Sequence, residues 1–225
     1  MAQRRVRARR GDGLLLREEI LAAAESLLTE TGSEDALTVR AVAARAGVST
    51  PSVYLHFSDK DALLEAVCLR AWDDLARLFQ TNAHGDPFRA LGRCGRAYAR
   101  FALAHPVQYR VLLMRTAPRD GVPPAAAACF GHMVDVVRRC VESGVLRGDP
   151  ERLALTLWSS VHGCVSLLLA QPSFPWPEDV DGLIDQAVIV AGFGSAMLSR
   201  VRGPVPDSAE LAGELDALGR RLGEG

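Results

Sequence analysis

The sequence predicts an all-α protein, a three-helix helix-turn-helix head followed by a larger helical bundle. Apolar residues recur at helical spacing along most of the 225 residues, and capping Asp, Ser and Pro residues punctuate them. No period-2 stretch long enough for a strand occurs, and there is no internal repeat.

A first helix is expected over 14–31, with Ile20, Ala24, Leu27 and Leu28 on its inner face and Gly32 at its end. Between residues 38 and 60, TVRAVAARAGVSTPSVYLHFSDK reads as two short helices joined by a tight turn. Val39, Val42, Ala43 and Ala46 make one apolar stripe, and Gly47 follows where the turn calls for φ > 0. Ser49 caps the next helix, with Pro51 in a first turn whose N–H groups have no intrahelical partner. Ala43 is small where two steeply crossed helices approach, and Val53 points back into the same core, as a helix-turn-helix requires. Ser58 and Asp61 form a capping-box-like start for a long fourth helix with Leu64, Val67, Ala71, Leu75 and Leu78 along one side. After a break at HGDP, helices are expected at 88–104, 106–114, 125–143, 150–170 and 180–198. Asp149-Pro150 is a strong start signal, and an amphipathic last helix is expected over 208–222.

This divides the chain into a basic disordered arm at 1–13, a helix-turn-helix domain at 14–59 and a helical domain at 60–225. A net charge of −1 excludes a general nucleic-acid coat, so any DNA affinity must come from a local patch. No run of about eighteen apolar residues occurs and the charged N-terminus has no apolar segment behind it; a soluble, cytoplasmic protein is expected. Cys68, Cys94, Cys129, Cys140 and Cys164 are odd in number, widely spaced and without a CxxC pair. They read as buried free thiols, with redox sensing as the alternative; no metal and no cofactor is expected. An enzyme fits poorly. Gly192-Phe193-Gly194-Ser195 lacks the third glycine of a dinucleotide loop, Gly47-Val48-Ser49 lacks the closing glycine of a nucleophile elbow, and there is no HExxH.

The segment from Arg17 to Val67 resembles the N-terminal domain of TetR-family transcriptional regulators. The resemblance rests on Leu37-Thr38, Ala43, Gly47-Val48-Ser49, Tyr54, His56-Phe57, Lys60 and Leu63-Leu64. Trp158, His162 and Gly163 resemble the Trp-His-Gly signature of one subclass of that family's C-terminal domains. The resemblance implies a homodimer that binds a double-stranded DNA operator and releases it when a small molecule enters the C-terminal domain. It also implies DNA contacts at Thr38, Arg40, Thr50, Ser52, Tyr54, His56 and Lys60.

The residue chemistry agrees. Ser49, Thr50 and Ser52 lie at the start of the recognition helix, where side chains enter the major groove most deeply. Tyr54 and His56 lie further along and reach flanking phosphates. Thr38 offers a hydroxyl and helix N-terminal N–H groups to a phosphate, with Arg40 and Lys60 adding charge beside it. Phe57 falls on the face of Val53 and is expected to pack. The recognition helix has no Arg, Asn or Gln, so specificity leans on hydroxyls, methyl contacts and DNA shape. The arginines at 4, 5, 7, 9 and 10 are either a solvated tail or an arm tracking the minor groove.

In the C-terminal part, Trp72, Tyr98, Phe101, Tyr109, Met133, Trp158 and His162 are bulky or polar groups on otherwise apolar helices. They are the candidates for a small hydrophobic effector site among the fourth to eighth helices, although each is individually also a plausible core residue. For His162 the resembling subclass leaves open a role in the domain's own hydrogen bonding. The helices over 151–170 and 180–198 are apolar nearly all round, which is economical if one face packs inside and another against a second copy; a wholly intramolecular core is the alternative. Gly192, Gly194, Ser195 and Ala196 are expected at that contact. A ligand-responsive repressor is thus the expected function, with an all-helical small-molecule carrier or scaffold that has lost DNA binding as the alternative.

Overall fold

The computed structural model describes residues 12–113, 124–201 and 207–223. Its helices are α1 (Asp12–Thr31), α2 (Val39–Arg45), α3 (Thr50–Tyr54), α4 (Lys60–Asn82), α5 (Pro87–Ala104), α6 (Pro106–Leu113), α7 (Pro124–Glu142), α8 (Pro150–Ala170), α9 (Val180–Leu198) and α10 (Ser208–Gly223). A 3-10 turn (Glu34–Ala36) precedes α2, and there is no strand among the described residues. The expected all-α fold is found. Residues 1–11, with the arginines of the basic arm, lie outside the described residues, and α1 begins at Asp12 rather than 14.

Local chemistry sets the helix starts. Asp86, Asp149 and Asp179 each accept a backbone N–H three residues on, from Arg89, Arg152 and Gly182, all at 2.8 Å. For α4 the cap is Asp59, accepting from Ala62 N at 2.8 Å, and not the expected Ser58–Asp61 pair. Ser58 instead donates to Asp59 Oδ2 at 2.9 Å, and the two hydrogen bonds hold the Asp59 carboxyl below its usual range. A carboxylate at the positive end of a helix is a stronger acceptor than a hydroxyl, which is why the aspartate takes the position.

Two apolar cores form. The first gathers Ile20 and Leu28 from α1, Leu37, Val42 and Ala43 around α2, Val53 from α3 and Phe57. Leu63, Leu64, Val67 and Cys68 of α4 and Val107 of α6 close it. The second begins one helical turn further along α4, at Ala71, Trp72, Leu75 and Phe79, and is built around α5. This helix touches α4, α6, α7, α8 and α9. Small residues make that crowding possible: Ala90, Ala99 and Ala102 are fully buried, and a Cβ at Gly95 would stand 3.1 Å from Val188 Cγ1.

Two polar links also join the cores. Arg70 of α4 pairs with Glu18 at 2.8 Å and Glu25 at 3.3 Å on α1. Arg110 of α6 donates to Gly32 O at 3.0 Å, placing a cation at the C-terminal end of α1.

Helices α8 and α9 pack on each other and are, by length and composition alone, long and apolar enough to cross a membrane, with mean hydropathies of 1.6 and 1.3. Each is covered on one side only. Leu155 and Leu167 of α8 are 48% and 55% exposed, and Val190 and Leu198 of α9 are both 63% exposed. Two of the small residues expected at a contact with a second copy turn inward instead. Gly192 is buried with its would-be Cβ 3.7 Å from Phe88, and Ala196 is 8% exposed in the second core. Gly163 of α8 and, among the expected residues, Gly194 of α9 are open instead, each with nothing within 4 Å of a would-be Cβ.

Gly47 sits at φ 67°, and the turn around it is a complete Schellman closure: Val48 N donates to Ala43 O at 2.9 Å and Gly47 N to Ala44 O at 3.3 Å. A Cβ there meets nothing within 4 Å, so the cost of adding one is conformational alone. Gly47→Ala is expected to destabilise the protein by about 1 kcal/mol in urea unfolding, with an unchanged denaturant slope.

Candidate nucleic-acid interface and effector cavity

The reading head is rigid beneath and exposed above. Beneath, Arg45 at the end of α2 donates to Glu30 Oε1 and to Ser26 Oγ, both at 2.6 Å, locking α2 onto α1 and drawing the Glu30 carboxyl down to about 2. Val53 is fully buried and Phe57 nearly so, the latter with the Arg17 guanidinium 5.1 Å from its ring centroid. Above, Thr38, Arg40, Ser49 and Tyr54 are exposed, and Thr50, Ser52, His56 and Lys60 are half-buried. Helix α3 is only five residues long, so His56 falls in the turn after it rather than on the helix.

Several of these hydroxyls already have work within the head. Thr38 Oγ1 caps α2 by accepting from Ala41 N at 3.1 Å, leaving its own O–H to donate outward. Ser49 caps α3 and shares a 2.7 Å hydrogen bond with Ser52 Oγ. One residue escaped the sequence reading. Leu55, 84% exposed beside Tyr54, offers an apolar surface suited to a thymine methyl group. Its place in the helical pattern after Val53 gave the only available signal, and a single exposed leucine is ordinary on protein surfaces.

In the second core lies a cavity of about 460 Å³ between α5, α8 and α9, with Phe79 of α4 and Met133 of α7 in its wall. Tyr98, Met133 and Trp158 line it. Trp72, Phe101, Tyr109 and His162 do not: Trp72 and Phe101 are packed into the core, Phe101 with His105 4.8 Å away between ring centroids. The lining also includes α9, through Val188, Ile189 and Phe193, which lies beyond the expected fourth to eighth helices.

Tyr109 and His162 belong to a polar network behind the cavity wall. Trp158 Nε1 donates to Tyr98 Oη at 3.1 Å, and the two tyrosine hydroxyls are 3.4 Å apart. Tyr109 Oη lies 2.6 Å and Tyr98 Oη 2.8 Å from His162 Nδ1, and Ser166 Oγ is 3.2 Å from Tyr109 Oη. Burial pushes both phenols up and the imidazole down, so all three stay neutral near pH 7. A neutral His162 with an Nδ1 lone pair is the acceptor this network needs. Three buried thiols are held in the protonated form in the same way. Desolvation pushes Cys94 and Cys140 up to about 11 and Cys129 to about 12, and the described residues contain no cluster able to hold a metal ion.

The fold and its exposed head define a helix-turn-helix DNA-binding regulator. Residues 20–67 match the model of bacterial regulatory proteins of the tetR family, and residues 91–190 match that of the tetracyclin repressor-like C-terminal domain. An HTH-type transcriptional regulator of Mycobacterium tuberculosis is 31% identical over 157 residues, covering 68% of this chain and 70% of that one. The class D tetracycline repressor of Escherichia coli is 36% identical over 107 residues, covering 48% of this chain and 43% of the repressor. Among solved structures, a protein of unknown function from Rhodococcus sp. RHA1 superposes with a TM-score of 0.68 at 27% identity, covering 83% of this chain and 96% of that one. SmeT, the repressor of the Stenotrophomonas maltophilia multidrug efflux pump SmeDEF, shares the fold with a TM-score of 0.56 at 22% identity over 85% of this chain and 96% of its own. The chain belongs to the TetR family of transcriptional regulators.

The depressed imidazole gives a pH signature. Unfolded, His162 takes up its proton near the ordinary 6.5, whereas the folded protein resists it until lower pH. The unfolded state therefore binds more protons in the window below 6.5, and stability falls as pH falls through it. Melting temperature recorded from about pH 8 to about pH 5 should show this decline, and His162→Gln, which keeps an acceptor but cannot titrate, should flatten it.

Proposed function

We propose that this regulator is a homodimeric repressor that binds a palindromic operator through residues 14–59 and is released by a small effector bound within residues 60–225. The observation that carries this reading is the head itself, where exposed Thr38, Arg40 and Tyr54, with Lys60 beside them, stand on a locked helix-turn-helix. Thr38, Arg40, Tyr54, His56 and Lys60 serve the phosphates, while Ser49, Thr50, Ser52 and Leu55 meet base edges. Two relatives named as repressors support the direction of control. A cytoplasmic location follows from that work on DNA.

The second copy docks on the outward faces of α8 and α9, where Leu155, Leu167, Val190 and Leu198 would otherwise face water. Pairing there sets two recognition helices about 34–36 Å apart, one turn of DNA. Tyr98, Met133 and Trp158 receive the effector directly, and His162 and Tyr109 hold that wall from behind. Helix α4, running from Lys60 to Phe79 in the cavity wall, is the covalent route by which effector binding reaches the head, and α6 adds a second link through Arg110. Release requires that the effector favour the arrangement that does not fit DNA.

Three outcomes test this. In gel shifts on DNA recovered with the protein, Tyr54→Ala and Lys60→Ala should weaken binding to all sequences, and Lys60→Ala should also lower its salt dependence. Thr50→Ala and Leu55→Ala should change base preference by about 1–3 kcal/mol per contact; four variants that bind as the parent does would sink the assigned surface. Leu167→Glu and Val190→Glu should sediment as folded monomers, because an unpaired charge in an apolar interface is costly; intact dimers in both would move the interface elsewhere. Spin labels on the two α3 helices should change separation by a few Å when effector is added, and release at constant separation would rule out the α4 lever.

A further inference from the structure

We propose that the cavity between α5, α8 and α9 takes an amphipathic organic anion, its apolar body inside and its acid group held by Arg89 and Arg96 at the rim. The proposal deepens the effector reading and rests on it only for the consequence at DNA.

Charge is the observation that sets the class of ligand. The cavity lining contains three cations, Arg89, Arg93 and Arg96, and no Asp or Glu; apart from these, its residues are almost all apolar. The three arginines recur at i, i+4 and i+7 on α5 and so share one face of that helix. A purely hydrocarbon ligand gives nothing to a row of guanidinium groups, and covering them without a counter-charge is costly. An anion at one end of the ligand removes that cost.

The arginines are not equally available. Arg93 is engaged by the chain leading into α5, donating from Nε to Asn82 O at 3.2 Å and from a terminal nitrogen to His84 O. Arg96 forms a long ion pair with Asp185, Nε 3.8 Å from Oδ1, too long for a hydrogen bond. That same Oδ1 is enclosed and accepts no hydrogen bond. The Arg96 guanidinium lies over Gly92, 3.5 Å from where a Cβ would stand, so the glycine leaves the fork room on the cavity side of α5. Arg89 is exposed, and its side chain has no ion pair among the described residues. The Arg89 fork is therefore unpaired among the described residues, and Arg96, ion-paired to Asp185 through Nε, keeps two terminal nitrogens without a hydrogen bond there, so both can grip a carboxylate, which they match in shape as well as charge. The volume, about 460 Å³, suits a ligand of ordinary metabolite size.

Isothermal titration calorimetry on the full-length protein tests this with decanoate, decyl phosphate and the neutral decanamide, all below their aggregation concentrations. At least one of the two anions should bind about tenfold or more tightly than the amide, and the tighter of the two identifies the acid group. Arg89→Gln and Arg96→Gln should each weaken anion binding by about tenfold while leaving amide binding near the parent value, and Arg89→Gln should leave the melting temperature near it too. Amide binding as tight as that of the tighter anion, unchanged anion affinity in both variants, or no binding of any of the three would overturn the proposal. Operator binding without ligand is measured in parallel. Loss of DNA binding with the anion preference intact would overturn the regulator reading alone, and intact DNA binding without the preference would overturn this one alone.

Discussion

Helix α4 is the constraint on which the rest of the molecule depends. Its first buried residues, Leu63, Leu64, Val67 and Cys68, belong to the core beneath the reading head, and the next, Ala71, Trp72, Leu75 and Phe79, to the core of the larger bundle. A continuous hydrogen-bonded helix transmits a displacement along its axis with little loss, because each turn is tied to the next. Its Asp59 cap stands two residues from the buried Phe57, and its far end forms part of the cavity wall. Helix α6 repeats the arrangement on a smaller scale, with Val107 in one core, Tyr109 in the other and Arg110 reaching back to α1. The two cores share elements, so neither can repack without the other responding.

The larger bundle combines two environments that sequence patterns tend to merge. One is the half-buried network of Tyr98, Tyr109, Trp158, His162 and Ser166, in which each residue has a hydrogen-bonding neighbour. A satisfied network of this kind specifies one arrangement of α5, α6 and α8, since slipping any helix leaves a buried polar atom unpaired. The other is the cavity, where glycines at 92, 95 and 192 hold the place of side chains. Tyr98 and Trp158 belong to both, so a ligand that moved either would disturb the contact with α6, and through it α1.

Electrostatics divides the surface in a matching way. The net charge of −1 gives no general attraction to nucleic acid, and the head presents a few cations and several hydroxyls at its surface. Part of its remaining charge is internal to its own scaffold, as in the Arg45–Glu30 pair, and part ties it to α4, as in Arg70–Glu18. Exposed pairs of this kind contribute little to stability, but they fix the orientation of α1 against α2 and α4. A head held in this way can turn a small tilt of α4 into a change in its position.

Much of this was legible in the residues alone. The helix starts at Asp86, Asp149 and Asp179, the turn at Gly47 and the inward Ala43 and Val53 follow from local chemistry, which neighbouring residues determine. The reading head is a contiguous segment, so its candidate contacts could be read from spacing within a single stretch. The cavity could not, since Phe79, Tyr98, Met133, Trp158 and Val188 come from five helices and meet only when those helices pack. Amphipathic periodicity says that a side chain faces inward but not whether it meets another side chain, a hydrogen-bond partner or a void. Tyr109 therefore looked equivalent to Trp158 in the sequence, and His162 read as either a ligand contact or a hydrogen-bonding residue of the domain; it took the packing of α5, α6 and α8 to separate network from lining. The same reason explains Gly192 and Ala196: on a helix apolar nearly all round, only the tertiary structure decides which side is already covered, because the chain carries no mark of which neighbour arrives first.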